Sequence, residues 1–306
     1  MLKKLNYKLF LGLVLLMFFL LISFFGPYLA PYAEDFSLKV GYIQTDKGEE
    51  LVAPPLPPSK EFLFGTDKWG YDILTHMLYG AKYTIFTIII VAALRLIIGT
   101  VLGITHALTG KRISPKKSKI TILNSIPPVV IIYFIMLPIN INSSMSSISL
   151  VWIQAFLMTV LGVSGVYDVV YAKTCETNKS LYVMASETLG GRKWHIMKKH
   201  IFPELKGNLS ILFLNETIQV LHLIGQLGIF SLFFGGTIFQ PDSRIYLSIT
   251  HEWSGLIGQS RSFFNHTQWI VLFPLIGYLL LLVSFYLISA GFREYERKRM
   301  RKNMYL

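Results

Sequence analysis

The sequence predicts an all-α membrane protein with six transmembrane helices, and three observations carry that expectation. Of its 306 residues, 53% are hydrophobic and only 15% are charged, whereas a soluble domain carries about a quarter charged residues. The apolar residues gather into runs long enough to cross a bilayer. The 29 Lys and Arg against 17 Asp and Glu give a formal charge of +12, and those cations cluster in particular loops. Such hydrophobicity excludes a disordered chain, and the single Cys175 excludes a disulfide scaffold. Nucleic-acid binding requires one basic face on a soluble fold, which this spacing does not provide.

The first run, Leu9 to Phe25, has no charge and follows Lys3, Lys4 and Lys8. At about 1.5 Å per residue it spans about 25 Å. It is longer than a signal-peptide core, and no small-x-small cleavage site follows it. It reads as an uncleaved anchor. Five further runs extend from Tyr83 to Leu108, Ile120 to Ile139, Ser149 to Tyr171, Leu209 to Phe233 and Thr267 to Phe292. Pro127-Pro128 is expected to kink the third span and Pro274 the sixth.

An even number of spans places both termini on one side. That side holds 21 Lys and Arg, including Lys111, Arg112, Lys116, Lys117 and Lys119 after span two, against six on the other. The positive-inside bias makes both termini cytoplasmic. The basic excess is explained by topology.

Two loops carry recognisable chemistry. The first outer loop contains Pro54-Pro55-Leu56-Pro57-Pro58, an extended stretch without a packed core of its own. It ends in Phe64-Gly65-Thr66-Asp67-Lys68-Trp69-Gly70-Tyr71-Asp72. Thr66 or Asp67 can cap the amphipathic helix that follows, while Gly65 and Gly70 permit tight turns. The inner loop between spans four and five places Leu181, Met184, Ala185, Thr188 and Leu189 on one helical face. Gly190-Gly191 then breaks that helix, and a basic segment from Arg192 to Ile201 runs into Pro203. Such a hairpin can present its tip to a partner's groove or lie on anionic headgroups.

Here the residues resemble a family. Tyr182-Val183-Met184-Ala185-Ser186-Glu187-Thr188-Leu189-Gly190-Gly191, followed by Trp194, Ile196 and His200-Ile201-Phe202-Pro203, resembles the permease signature loop of ABC importers. The outer motif with Gly65, Thr66, Asp67, Gly70 and Asp72 is similar to that of the C-type permease of oligopeptide, dipeptide and nickel importers. In that family Arg usually fills the Tyr71 position. Gln240-Pro241, Trp253 and Arg261, and then Phe285, Leu287, Gly291, Phe292, Arg293 and Glu294, agree in order with its later motifs. The resemblance implies a type I ABC importer permease fold in the bacterial cytoplasmic membrane. It also implies a homologous B-type permease, two ATPase subunits, an extracytoplasmic binding protein and a peptide substrate. In the family the signature loop is the coupling helix that docks into the ATPase. The family's glutamate is Met184 here, its second alanine is Ser186, and the asparagine after Pro203 is Glu204. Met184 cannot form the glutamate's charged hydrogen bonds, so docking falls to Ala185, Gly190 and helix shape, and Glu187 can substitute.

The chain is not expected to be an enzyme. Thr109-Gly110-Lys111-Arg112 lacks the first glycine and the hydroxyl of a phosphate-binding loop. No cofactor is expected in this chain, and the resemblance assigns ATP and Mg²⁺ to the ATPase partners. His251-Glu252 lacks the second histidine of a zinc-protease helix, so no metal is expected.

Span five carries Asn208, Asn215, Gln219, His222 and Gln226 on one line, with Glu216 on its shoulder. Polar groups facing lipid are costly, so the stripe faces protein or water. It either lines the translocation path, offering hydrogen bonds to peptide amides, or joins helices. Arg95 and Glu216 are the clear charges deep in the apolar runs, and a pair between them would relieve both.

The resulting plan has an anchor over residues 1–30 and an outer loop with an interfacial helix over 31–80. A permease core follows over 81–292, with its coupling loop at 173–206, and a basic tail over 293–306. The function expected is a permease that forms half of a peptide path and couples to a separate ATPase. A nickel or other small-solute permease remains an alternative, as does a non-transporting membrane sensor or assembly component on the same scaffold.

Overall fold

The computed structural model describes residues 6–45, 48–110 and 126–303. Helix α1 runs from Tyr7 to Leu29 and is capped by the Asn6 side chain, which accepts from the Leu9 N–H. A two-stranded antiparallel hairpin follows, β1 (Gly41–Thr45) with β2 (Gly48–Val52). This hairpin precedes the Pro54–Pro58 stretch. With a second hairpin, β3 (Thr237–Gln240) and β4 (Ile245–Ser248), it adds strands that the all-α expectation omitted. Both hairpins lie in connections between helices.

Helix α2 is continuous from Ile73 to Thr109. The expected interfacial helix and second span are therefore one element, and the boundary drawn at residue 80 falls inside it. Nothing between Ile73 and Tyr83 breaks a helix: Gly80 is tolerated in mid-helix, and no proline intervenes. The five cations from Lys111 to Lys119 and the start of the third span lie outside the described residues. Helix α3 is short, Pro128–Asn140. The Pro127-Pro128 pair begins this helix rather than kinking a longer one, because the N–H that proline lacks is unused in the first turn. Helix α4 extends from Ser147 to Asn178, past the expected end of span four.

The inner hairpin contains α5 (Leu181–Thr188) and α6 (Lys193–Ile196). A π turn, Met197–Ile201, then leads without a break into α7, Phe202–Ile229. The helix runs through Pro203. The Phe202 N–H donates to Met197 O in the widened turn, and this shift of register absorbs the donor that Pro203 lacks. After the second hairpin come α8 (Trp253–Ser260), a 3₁₀ turn over Arg261–Phe263, and α9 from Trp269 to Asn303. Helix α9 continues through Pro274 and through most of the expected tail.

Among the described residues, four helices are long and apolar enough to cross a membrane: Tyr7–Leu29, Ile73–Thr109, Ser147–Asn178 and Trp269–Lys298. Helix α3, with 13 residues, is short of a crossing. Helix α7 has 28 residues, but its polar stripe dilutes its hydropathy. The main core joins α1, α2, α3, α4, α7, α8 and α9 around Ile85, Ile88, Met158, Val220, Leu221, Trp253 and Phe285. Helices α2 and α4 approach closely where Gly99 and Gly103 face Val166 and Val170. A Cβ on either glycine would lie within about 3 Å of those valines. This is the close approach that small residues one turn apart permit in membranes.

Candidate functional site

The polar stripe lies on α7, with Glu216 buried on its inner side. Its carboxylate Oε2 accepts from Arg95 Nη1 at 3.0 Å, and Arg95 Nε and Nη2 donate to Met158 O at 3.0 and 2.6 Å. The guanidinium fits because position 162 is glycine; a Cβ there would collide with it. The pair ties α2, α4 and α7 together in the apolar core. Glu216, expected on the path, is instead 3% exposed, turned inward because its partner comes from the opposite side of α7.

The rest of the stripe faces outward from this chain. Asn208, Gln219, His222 and Gln226 are exposed and Asn215 is half-buried, its Oδ1 accepting from Ser289 Oγ at 3.2 Å. Asn208 and Asn215 line a cavity of about 630 Å³ between α4 and α7. His222 and Gln226 line another of about 250 Å³ against α8 and α9. Its wall includes Tyr278, whose hydroxyl donates to Leu221 O at 2.6 Å. Such a face offers donors and acceptors without a fixed charge.

At the other site, α5 is held by one residue. Val183 is fully buried and packs with Ile104, Val166, Val170, Ile196, Ile201 and Leu205. Around it Tyr182, Met184, Ala185, Glu187 and Thr188 are exposed, Ser186 is half-buried, and Leu181 and Leu189 are 83% and 89% exposed. The glycine break closes α5 as a Schellman cap. The Gly190 N–H donates to Glu187 O and the Gly191 N–H to Ser186 O, each at 2.9 Å, with Gly190 at φ +84°. Pro203 lies one helical segment away, and the Tyr182 ring meets His200 at 5.7 Å.

The outer motif forms a compact knot. Thr66 Oγ1 accepts from the Leu56 N–H at 2.8 Å, and Trp269 Nε1 donates to Thr66 O at 3.3 Å. Asp67 Oδ1 accepts from the N–H groups of Trp69 and Tyr71, both at 2.9 Å, so it closes a turn rather than capping a helix. Asp72 is the cap, its Oδ2 accepting from the Thr75 N–H and Oγ1 at 2.8 and 2.7 Å. Gly65 and Gly70 both adopt positive φ, +77° and +85°. Burial pushes the Asp67 carboxyl up to about 7, against hydrogen bonds that lower it. Next to this knot the His76 and His251 rings stack at 3.8 Å, and burial lowers His251 to about 4.

Two features escaped the sequence reading. Glu252 is fully buried and caps α8 by accepting from the Ser254 N–H and Oγ at 2.8 and 3.0 Å; burial raises it to about 7. Glutamate is not among the residues that mark an N-cap in a sequence, so no local signal pointed to it. Asn140 and Gln154 bind the turn after α7, where Asn140 Nδ2 donates to Phe233 O at 3.0 Å and Gln154 Oε1 accepts from the Gly235 N–H at 2.7 Å. No local pattern marks those amides.

Two family models match the chain. One is the N-terminal TM domain of oligopeptide transport permease C, over residues 8–55. The other is the binding-protein-dependent transport system inner membrane component, over residues 117–302. Among curated relatives, the dipeptide transport system permease protein DppC of Alkalihalophilus pseudofirmus is 25% identical over 299 residues, covering 95% of this chain and 86% of that protein. The probable D,D-dipeptide transport system permease protein DdpC of Escherichia coli is 25% identical over 287 residues, covering 92% and 84%. The oligopeptide transport system permease protein OppC of Bacillus subtilis is 28% identical over 201 residues, covering 65% and 59%. A match over residues 117–302, with the α5–α6 hairpin and the polar α7 inside it, decides the assignment: the chain belongs to the family of inner membrane components of binding-protein-dependent transport systems.

Proposed function

We propose that this chain is the C-type permease of a peptide importer, one half of a path completed by a homologous B-type permease. The carrying observation is the uncovered apolar surface of α5, with Leu181, Met184 and Leu189 exposed around a single buried anchor, Val183. A rigidly capped helix with such a face is built to be covered by another chain. In this reading α5 docks into one of two ATPase subunits, which hold ATP and Mg²⁺. Closure of the ATPases moves α5, and the shared core of Val183, Ile201 and Leu205 passes that movement to α7.

Substrate would then meet Asn215, Gln219, His222 and Gln226, whose amides and imidazole suit peptide backbone groups without selecting one side chain. Six crossings, as the sequence predicts, put both termini on one side, and the Lys and Arg bias makes that side the cytoplasm. The outer knot then faces an extracytoplasmic binding protein. The relatives, named as dipeptide and oligopeptide permeases, support peptides over nickel. The test is reconstitution of the complex with Ala185→Asp or Gly190→Asp. Loss of ATPase subunits, or of transport-coupled ATP hydrolysis by tenfold or more, is expected; unchanged assembly and turnover would refute the docking.

A further inference from the structure

A groove between α1, α2 and α4 has no role in transport as described above. Its volume is about 300 Å³, and its walls are almost wholly apolar, including Phe24, Phe86, Ile90 and Trp152. Phe24 and Phe86 meet edge to face at 4.9 Å to form one side. Phe24 and Trp152 remain 63% and 59% exposed, so the groove opens outward from the helices.

The polar residues of the lining are Lys82, Tyr83, Thr87 and Ser23. Lys82 and Tyr83 stand at one end, the ammonium 5.1 Å from the phenol ring. No carboxylate among the described residues pairs with Lys82. Ser23 forms part of the lining, is 3% exposed, and its hydroxyl has no hydrogen-bond partner. A buried hydroxyl left unmade is costly, and in a helix it would ordinarily turn back to a carbonyl one turn earlier.

These groups lie toward the same end of their helices. Ser23 is six residues before the end of α1, Lys82 and Tyr83 are nine and ten residues after the start of α2, and Val151 and Ala155 are four and eight residues after the start of α4. At 1.5 Å per residue they lie about 6–15 Å from those helix ends. Lysine, tyrosine and tryptophan together at that depth are the usual residues of the membrane–water boundary.

From this geometry we infer that the groove is a binding site for one anionic phospholipid. Its phosphate is held by Lys82 at the interface, and an acyl chain lies in the cleft beside Trp152. An ester carbonyl of the glycerol accepts from Ser23 Oγ, the partner that this hydroxyl lacks. A second protein chain would satisfy the apolar walls but would leave Lys82 needing a buried carboxylate, whereas a phospholipid supplies charge and chain in one molecule. The inference rests on α1, α2 and α4 crossing the bilayer. Release of the chain from membranes by a carbonate wash would refute that premise separately.

The experiment uses the full chain, purified from its membrane with the subunits that accompany it and placed in bilayers. Brominated phospholipids quench tryptophan, and the Trp152 contribution is the difference between the wild type and Trp152→Phe. Brominated anionic lipid is expected to quench this component at a several-fold lower mole fraction than brominated zwitterionic lipid. Lys82→Gln is expected to abolish that preference while leaving quenching by zwitterionic lipid. Equal quenching by both headgroups in the wild type would overturn the proposal. So would a Trp152 component that neither lipid reaches, since another protein chain would then fill the groove.

Discussion

At the scale of single residues, the Arg95–Glu216 pair shows what burial does to a charge. Each side chain is at most 5% exposed, and the ions are 3.0 Å apart. Removing one partner leaves the other unpaired in an apolar core, at a cost of about 3–5 kcal/mol. Arg95→Met and Glu216→Leu should each lower the thermal unfolding midpoint steeply in detergent, and the double variant should recover much of the loss. Additive losses would mean that the pair does not couple the helices. Asp67 and Glu252 set a pH dependence. Both are raised by burial to about 7, from 3.8 and 4.5, so the folded chain holds more protons than the unfolded one. Their contribution is fully present below the unfolded values and is lost as pH rises through about 7. The slope is at most about 1.4 kcal/mol per pH unit for each group. His251, lowered by burial to about 4, opposes this fall below about pH 6.5, so the check is a difference: Glu252→Gln should lose less stability than the wild type in chemical denaturation as pH rises from about 5 to 8. The Arg95–Glu216 pairing was legible from two isolated charges in apolar runs. The weight of Glu252 was not, because a carboxylate in a loop reads as solvated until packing encloses it.

At the scale of elements, periodicity and punctuation were read correctly where they acted locally. The apolar face of α5 and its glycine break appear as expected, because a Schellman cap needs only a residue at ease with positive φ. Gly190→Val should therefore destabilise the hairpin by about 1–2 kcal/mol, read as faster hydrogen exchange over residues 181–191 with the helices of the main core unchanged. Gly103→Leu should instead separate α2 from α4 and cost about 1–3 kcal/mol by overpacking against Val170, seen as a global drop in stability. Pro128 starts a helix where a kink was expected, while Pro203 and Pro274 sit within helices, since the effect of a missing donor depends on whether neighbouring turns use it. The outer cap also moved from Thr66 or Asp67 to Asp72, because Thr66 and Asp67 were engaged by Leu56, Trp69 and Tyr71.

At the scale of the whole molecule, the charge distribution predicts orientation and the α7 stripe predicts an aqueous face. Cys175 is the single cysteine, so a Cys175→Ser background allows both to be probed. A cysteine introduced at Asn6 or Asn303 should react with an impermeant thiol reagent only from the cytoplasm. One at Gln219 should react in intact complexes, and its labelling rate should change when ATP hydrolysis is trapped. Protection of Gln219→Cys under all conditions would mean that the stripe joins helices rather than lining a path. The sequence by itself determined the membrane class, the first apolar helix, the signature hairpin, the Gly65–Asp72 motif and the line of polar residues on α7. Each depends on composition or on spacing within one element, where helical geometry fixes which residues share a face. Only the tertiary structure decided that Glu216 turns inward to Arg95 while its neighbours stay uncovered. It also decided that Val183 alone anchors α5 and that Lys82, Ser23 and Trp152 share one groove. Those relations join residues from separate helices, and they arise when buried charges and apolar faces must all be satisfied by the same packing.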